Sequence, residues 1–489
     1  MINLKEELTK IVYDKRWVED DPAILWNYAR DMTENEPGNP DIVVLPDSIE
    51  ELQNIVIFAN KNKIPITPYV AGANVGGLAI PRKGGILIDL KRLNRITIDK
   101  DNMYAIVEPG VTFGHLKRLL DENYPTLRYS IPMAPPFTSV LINAIMGGLG
   151  NLSHKYGSMS DMISSMEMLL PTGELVKMGS AAVSPIWFGL HPMPNIAGLF
   201  INMQGTLGIT TRIGINLWPK PKISENGILF AVKGPEEVYS SLIFKICHAE
   251  ICDELAGGLF HYSLGKGMLP LDDLKGIIQS IVQLDDMEQR SYFLTWVSIG
   301  ANDPKQMKTK WKVLNQLVNE TNKTENRQLI LVKTGDFGEV GKKIDRTLDL
   351  PMQLPPMYDL RQGGGLSWVG SYVPLTKWLE ACNRGLKVMD KYGFIPGVLH
   401  RPMKRGHYGV LRFFIPFNKG DPKEKETVRE ICNELAEIIL DVGGVPYKIP
   451  AWAAEKMFKN ADPNFVELLK RLKKFFDPNG IMNPGRLIF

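Results

Sequence analysis

Two rhythms of apolar residues run through the first part of the chain. PDSIEELQNIVIFANKNK, from Pro46 to Lys63, sets Leu52, Ile55, Val56 and Ala59 at helical spacing behind a Ser48–Glu51 capping box, which predicts an amphipathic helix. IPITPYV, GGILIDL and YAIVEPG are short apolar runs bounded by Gly and Pro, and they predict strands. VTFGHLKRLLDEN predicts a second amphipathic helix through Leu116, Leu119 and Leu120. MEMLLPTGELVKM, from Met166 to Met178, predicts a hairpin turning at Pro171-Thr172-Gly173, and AGLFINMQGTLGITTRIGINLWPKP predicts a helix, a Gly-bounded turn and a strand.

The texture changes after Trp218–Lys222. SYFLTWVSIG and HYGVLRFFIPF predict strands separated by long intervals, and DPKEKETVREICNELAEIILDVGG predicts a strong helix that Gly443 and Gly444 end. FVELLKRLKKFF and then DPNGIMNPGRLIF form a closing segment. The expected fold class is α+β, with one domain at 1–222, a second at 223–445 and a C-terminal return to the first at 446–489.

Bulk composition narrows the class without naming it. At 489 residues two cores are expected. Hydrophobic residues at 44%, charged residues at 23% and a formal charge of +3 describe an ordinary globular protein with no bias toward nucleic acid or anionic membrane. MINLKEELTKIVYDKRWVEDD has no apolar leader, and no run of about 18 uncharged apolar residues follows, so a cytoplasmic protein without a membrane span is the default expectation. Cys247, Cys252, Cys382 and Cys432 form no CxxC pair, which argues against an iron–sulfur cluster within the chain.

The candidate chemistry begins at PYVAGANVGG, Pro68 to Gly77. Its glycines and alanines make either a flexible turn or a loop that brings backbone N–H groups to a phosphate. Gly147, Gly148, Gly150 and Gly157, interleaved with Ser139, Asn143, Asn151 and Tyr156, could converge on it, as could the turn at Gly208-Ile209; each is alternatively a turn with polar decoration. G-x-G-x-x-G opening a helix is absent at Gly72, which disfavours a nicotinamide Rossmann domain.

These motifs, in this order, resemble the FAD domain of the vanillyl-alcohol oxidase / p-cresol methylhydroxylase (PCMH-type) flavoprotein family, and DPNGIMNPGRLIF is similar to its C-terminal signature. The resemblance implies a PCMH-type FAD domain of two α+β subdomains plus an antiparallel-sheet cap. It implies an FAD pyrophosphate on Val70, Ala71, Gly72, Ala73, Asn74, Val75 and Gly76. Further FAD contacts are implied at Pro109, Gly110, Pro132, Thr138, Ser139, Asn143, Gly147, Gly148, Gly150, Asn151, Tyr156, Gly157, Gly208, Ile209, Asn483 and Arg486. It also implies hydride transfer from a C–H bond, next to oxygen or benzylic to a phenol, to flavin N5. With no cluster-forming cysteines and no identifiable oxygen-specific motif, a dehydrogenase passing electrons to a redox partner protein or a quinone-like acceptor is expected. Homo-oligomerisation stays open, as does the alternative of a flavoprotein electron-transfer subunit with no small-molecule substrate of its own.

Two branches of the family differ in their site. The aromatic-alcohol branch holds a phenolate with a Tyr and an adjacent Arg; GGVPYKIPAW offers Tyr447 and Lys448, and a histidine of that branch matches His407. A lysine supplies the charge without arginine's planar fork. The carboxylate beside the flavin falls near Met146, the Gly-rich loop has no counterpart for a phenolate-binding Tyr, and the covalent-link position falls near Leu366, so a non-covalent FAD is expected. The 2-hydroxy-acid branch (glycolate, D-lactate) uses two histidines around a metal or carboxylate; His400 and His407, with six residues between them in LHRPMKRGH, have that separation. The partner Glu-His pair is missing, so no metal site is complete. Arg401, Lys404 and Arg405 are either carboxylate binders or a solvated basic turn. His154 falls near the expected flavin, whereas His115 and His191 read as structural or loop residues.

Overall fold

The computed structural model describes residues 2–261, 291–351, 363–395 and 397–489, and these fold around three large sheets, with Leu127–Arg128 and Trp218–Pro219 pairing as a separate two-stranded ribbon. In the first, strands Ile42–Val44, Ile86–Asp89 and Ile66–Tyr69 run parallel, with Val18–Glu19 antiparallel on the outer edge. The helix Ile49–Asn62 buries Leu52, Ile55, Val56 and Ala59 in the same core as these strands. Only half of the expected capping box forms. Ser48 Oγ accepts the Glu51 N–H at 3.1 Å, but the Glu51 carboxylate turns to the backbone N–H groups of Tyr13 (2.7 Å) and Asp47 (2.9 Å). A buried carboxylate goes where it finds two donors, and here they come from the chain before the helix.

The second sheet is antiparallel, in the order Ile96–Asp99, Tyr104–Val107, Ile209–Asn216, Ile163–Leu169, Leu175–Gly179. Its last two strands are the hairpin around Pro171–Gly173, where Gly173 adopts φ +98°. The helix expected after Ala197 is reduced to one 3₁₀ turn, Ile196–Leu199. Asn202, Gln204 and Gly205 then take φ of +61°, +53° and +72°, and such backbone cannot continue a helix.

The third sheet has eight antiparallel strands between Ile223 and Pro446, ordered Leu329–Lys333, Ile223–Ala231, Ser291–Ala301, Glu254–His261, Gly397–Met403, Tyr408–Phe417, Gly365–Val373, Val445–Pro446. Strand alternation divides its side chains. Leu411, Phe413 and Ile415 pack on the side of the helices Pro304–Glu325, Trp378–Lys391 and Pro422–Asp441, with Val398 and Leu229. Trp296, Leu366, Leu399 and Phe414 cluster on the other side with Val75 of the Gly-rich loop. That contact seats the sheet over the first domain.

The helix Pro463–Phe476 and the tail return to the first domain. Ile66 N–H donates to Ile481 O at 2.7 Å and Asn483 N–H to Ile66 O at 2.8 Å, so the tail lies along the edge of the first sheet. Among the described residues no helix is long and apolar enough to cross a membrane.

Candidate active site

The Gly-rich loop forms one wall of a cleft between the domains. Gly72 sits at φ +62°, and a Cβ there would lie 2.0 Å from the Tyr69 hydroxyl, so only glycine lets the chain turn here. Val70 to Val75 line the cleft, as do Thr138, Ser139 and Asn143 opposite, Gly208 and Ile209 at the floor, and Asn483 from the tail. The cap contributes Trp368 and Lys448. Gln204 Oε1 and Asn483 Oδ1 are buried without a hydrogen-bond partner, and both residues line the cleft. Narrow Gly-rich backbone beside orphaned polar atoms fits a large polar cofactor such as FAD.

Other expected cofactor residues shape the wall without lining the cleft. Pro109 O accepts the Ser139 hydroxyl at 2.5 Å, and a Cβ on Gly148 would fall 1.8 Å from Asn143 Oδ1, so these positions set where Ser139 and Asn143 stand. Gly76 lies under the return of the cap, 3.3 Å from Lys448 O to a Cβ built there. Gly147 O accepts the Tyr372 hydroxyl at 2.9 Å. Gly150 and Asn151 pack against Ser130 and Ile131. Gly110 lines a shallow depression that shares Val70 and Ala71 with the cleft. Arg486 is buried, donates to Ile80 O, and keeps Nε and Nη1 without partners. Tyr156 and Gly157 stand apart. The Tyr156 ring stacks on Trp218 at 3.7 Å, and Gly157, φ +95°, closes the short helix Ser153–Tyr156 against Asp161.

A smaller chamber opens off the cleft and shares Ala134, Asn143, Trp368 and Lys448 with it; Pro132 lines the chamber. Its walls mix apolar residues (Met133, Leu149, Trp296, Leu399, Val410) with Asn143, His400, Arg401, Arg412 and Lys448. Arg401 is neutralised by Glu254, whose Oε1 lies 3.0 Å from its Nε. Arg412 has no carboxylate partner among the described residues. It lies over Trp368 at 4.1 Å, donates to the Tyr447 hydroxyl, and leaves Nε buried without a partner. Burial, then the Arg401 charge, lowers its pKa to about 9. Lys448 Nζ donates to Asn143 Oδ1 at 3.0 Å; burial, then the Arg412 charge, brings its pKa down to about 7. Tyr447 stacks flat on Tyr372 at 5.0 Å. Two adjoining cations without a counter-charge, next to a phenol, make a receptor for an oxyanion.

The two candidate histidines are not brought together there. The His400 ring turns to the helical side of the sheet, where Nδ1 meets Tyr239 Oη and Nε2 meets Thr295 Oγ1, both at 2.9 Å, and Phe293 stacks on it. Burial lowers its pKa to about 3, so it is a neutral core residue with both nitrogens engaged. His407 is exposed at the end of the hairpin turn that Lys404, Arg405 and Gly406 make at φ +50°, +58° and +90°. His154 is buried 3.0 Å from Pro402 O, between the first domain and the cap. No group of three His, Cys, Asp or Glu able to hold a metal occurs among the described residues. Leu366, at the covalent-link position, is buried, with its N–H on Met32 O at 3.0 Å.

Arg412 and Trp368 are the residues that sequence reasoning missed. The signal for Arg412 was a lone arginine inside the run Val410–Phe417, on the parity opposite to Leu411 and Phe413.

Cleft and chamber together define a flavoprotein oxidoreductase in which a sheet domain closes over an FAD domain. Comparison with known proteins agrees. Residues 40–179 match the FAD binding domain, and residues 358–487 match the C-terminal domain of FAD linked oxidases. The chain is 25% identical to the 4-cresol dehydrogenase [hydroxylating] flavoprotein subunit of Pseudomonas putida, over 97% of this chain and 92% of that one. It is 24% identical to a mitochondrial D-lactate dehydrogenase [cytochrome] of Arabidopsis thaliana, over 97% and 77%. The fold superposes on p-cresol methylhydroxylase with substrate bound at a TM-score of 0.83 and 20% identity, covering 99% of this chain and 95% of that one. 4-Ethylphenol oxidase from Gulosibacter chungangensis gives the same TM-score at 19% identity, covering 99% and 96%. The chain belongs to the FAD-linked oxidases of PCMH type and is an FAD-dependent oxidoreductase.

Proposed function

We propose that the protein oxidises an aromatic alcohol or para-alkylphenol bound as its phenolate, and passes the electrons to an external acceptor. One observation carries this reading: Arg412 and Lys448 both line the chamber, and Arg412, without a carboxylate partner among the described residues, donates to the hydroxyl of Tyr447 behind that wall. FAD, when bound in the cleft, supplies the two-electron hydride acceptor.

The chain's own residues do the rest. Trp368 and Trp296 offer flat apolar walls to an aromatic ring. Tyr447 donates its hydroxyl hydrogen to the substrate oxygen, while the Arg412 charge favours the ionised form of that oxygen. Lys448, with a pKa near neutrality, takes up the phenolic proton at Nζ, and Asn143 holds that nitrogen in place. Electron density released into the ring by the phenolate weakens the C–H bond opposite. A 2-hydroxy acid is the second reading: the Arg412 fork also suits a carboxylate, and a D-lactate dehydrogenase is among the relatives. The FAD is held without a covalent bond, as the apolar Leu366 favours, and a dehydrogenase fits better than an oxidase.

Anaerobic rapid mixing of the oxidised protein with para-alkylphenols, 4-hydroxybenzylic alcohols and 2-hydroxy acids tests the reading. Phenols should bleach the flavin band; bleaching by 2-hydroxy acids alone would move the assignment to the second reading.

A further inference from the structure

One end of the molecule joins the active site to an apolar and basic surface. A groove of about 1200 Å³ starts at Met146, Gln204 and Lys448, which also line the cofactor cleft, and runs out to Phe465 on the C-terminal helix. That helix, Pro463–Phe476, buries Leu469 and leaves Phe465, Leu468 and Phe475 exposed by 49%, 44% and 77%. Leu468, Arg471 and Phe475 fall at i, i+3 and i+7 on one outer stripe; exposed Glu467 and Lys474 lie on one side of it, with exposed Lys470 further round the helix. None of these three cations is in an ion pair among the described residues. Of the six Lys or Arg in residues 451–476, Lys456 is paired with Glu437 and Lys473 with Asp477, which leaves Lys459, Lys470, Arg471 and Lys474 against Glu455, Asp462 and Glu467. Phe200 packs on Phe476 at 5.2 Å, which brings the turn Ile196–Leu199, with Ile196 and Leu199 exposed, beside the end of the helix.

We propose that this end docks on an anionic lipid surface. Aromatic and leucine side chains protruding from a convex helix enter the headgroup layer, while the flanking cations meet lipid phosphates. A protein partner would need a matching pocket for each protruding ring. Docked this way, the protein turns the outer mouth of its groove toward the lipid, and the cofactor cleft lies at the groove's inner end. The inference rests on the reading that electrons leave to an external acceptor, which such a surface can supply in lipid-soluble form.

Vesicle co-sedimentation tests it without substrate or turnover, so its failure is distinct from failure of the catalytic reading. The FAD-loaded protein is mixed with vesicles of phosphatidylcholine alone, or with about 30% phosphatidylglycerol. Binding should need the anionic lipid and fall at least about tenfold in high salt. Lys470→Glu with Arg471→Glu and Lys474→Glu should lower it at least about tenfold, with FAD content unchanged. Leu468→Ser with Phe475→Ser should weaken binding at constant charge. Absence of vesicle binding by the unmodified protein overturns the proposal and leaves the face to a soluble acidic partner. Undiminished binding by the charge-reversed protein overturns it equally.

Discussion

Lys448 Nζ lies 3.0 Å from Oδ1 of Asn143, which ties the end of the cap to the helix that lines the cofactor cleft. The backbone of Lys448 is at φ +49°, a conformation lysine rarely adopts, and it holds the ammonium where cleft and chamber meet.

Removing the oxyanion receptor should slow the chemistry and spare the cofactor. Tyr447→Phe, Lys448→Met and Arg412→Met each delete one charged or hydroxyl contact. Losing such a contact in a dry pocket costs about 2–3 kcal/mol, or roughly 30- to 150-fold in rate. Stopped-flow flavin reduction should fall by that factor while absorbance shows normal FAD content. Wild-type rates in all three would remove the receptor from the mechanism.

The depressed pKa of Lys448 has a kinetic and a thermodynamic consequence. If neutral Nζ accepts the substrate proton, kcat/KM should rise through about pH 7, and Lys448→Met should lose that limb. For stability, the folded pKa of about 7 lies below the unfolded value of 10.5, so between them the unfolded chain binds more protons and wild-type stability climbs with pH. Lys448→Met, which carries no such penalty, should therefore raise Tm most at or below pH 7, with the gain shrinking toward pH 10. A gain that grows with pH would contradict the burial of this lysine.

Gly72→Ala should cost cofactor before it costs fold. Its Cβ would meet the Tyr69 hydroxyl at 2.0 Å, and a left-handed backbone costs a non-glycine residue about 1–2 kcal/mol. The purified variant should lose FAD on gel filtration. Full retention of FAD at wild-type affinity would place the phosphates elsewhere.

Acid precipitation should release all yellow colour into the supernatant, because Leu366 has no nucleophilic atom. Flavin fluorescence left on the denatured chain would show a covalent link through another residue.

Much of the fold could be read from local pattern. The helices Ile49–Asn62 and Pro422–Asp441 carry their apolar stripes and caps within their own sequences, and the Pro171–Gly173 hairpin announces its turn. The site was legible in part. Tyr447 and Lys448 follow a helix-ending Gly443-Gly444, and the Gly-rich loop declares its backbone. The histidine pair misled because spacing says nothing of register. His400 pairs across the sheet with Leu411, on the helical side, while His407 falls in the turn beyond Met403. Arg412 was hidden for the same reason: its meeting with Trp368 and Tyr447 depends on which parity of three strands faces the cleft.

The most direct measurement is the ultraviolet difference spectrum of a para-alkylphenol bound to the oxidised enzyme at pH 7, well below the phenol's own pKa of about 10. Arg412, Tyr447 and Lys448 acting together should give the spectrum of a phenolate, and Arg412→Met should return it to that of the neutral phenol. A neutral phenol on the unmodified enzyme, alongside rapid flavin reduction by a 2-hydroxy acid, would contradict the assignment.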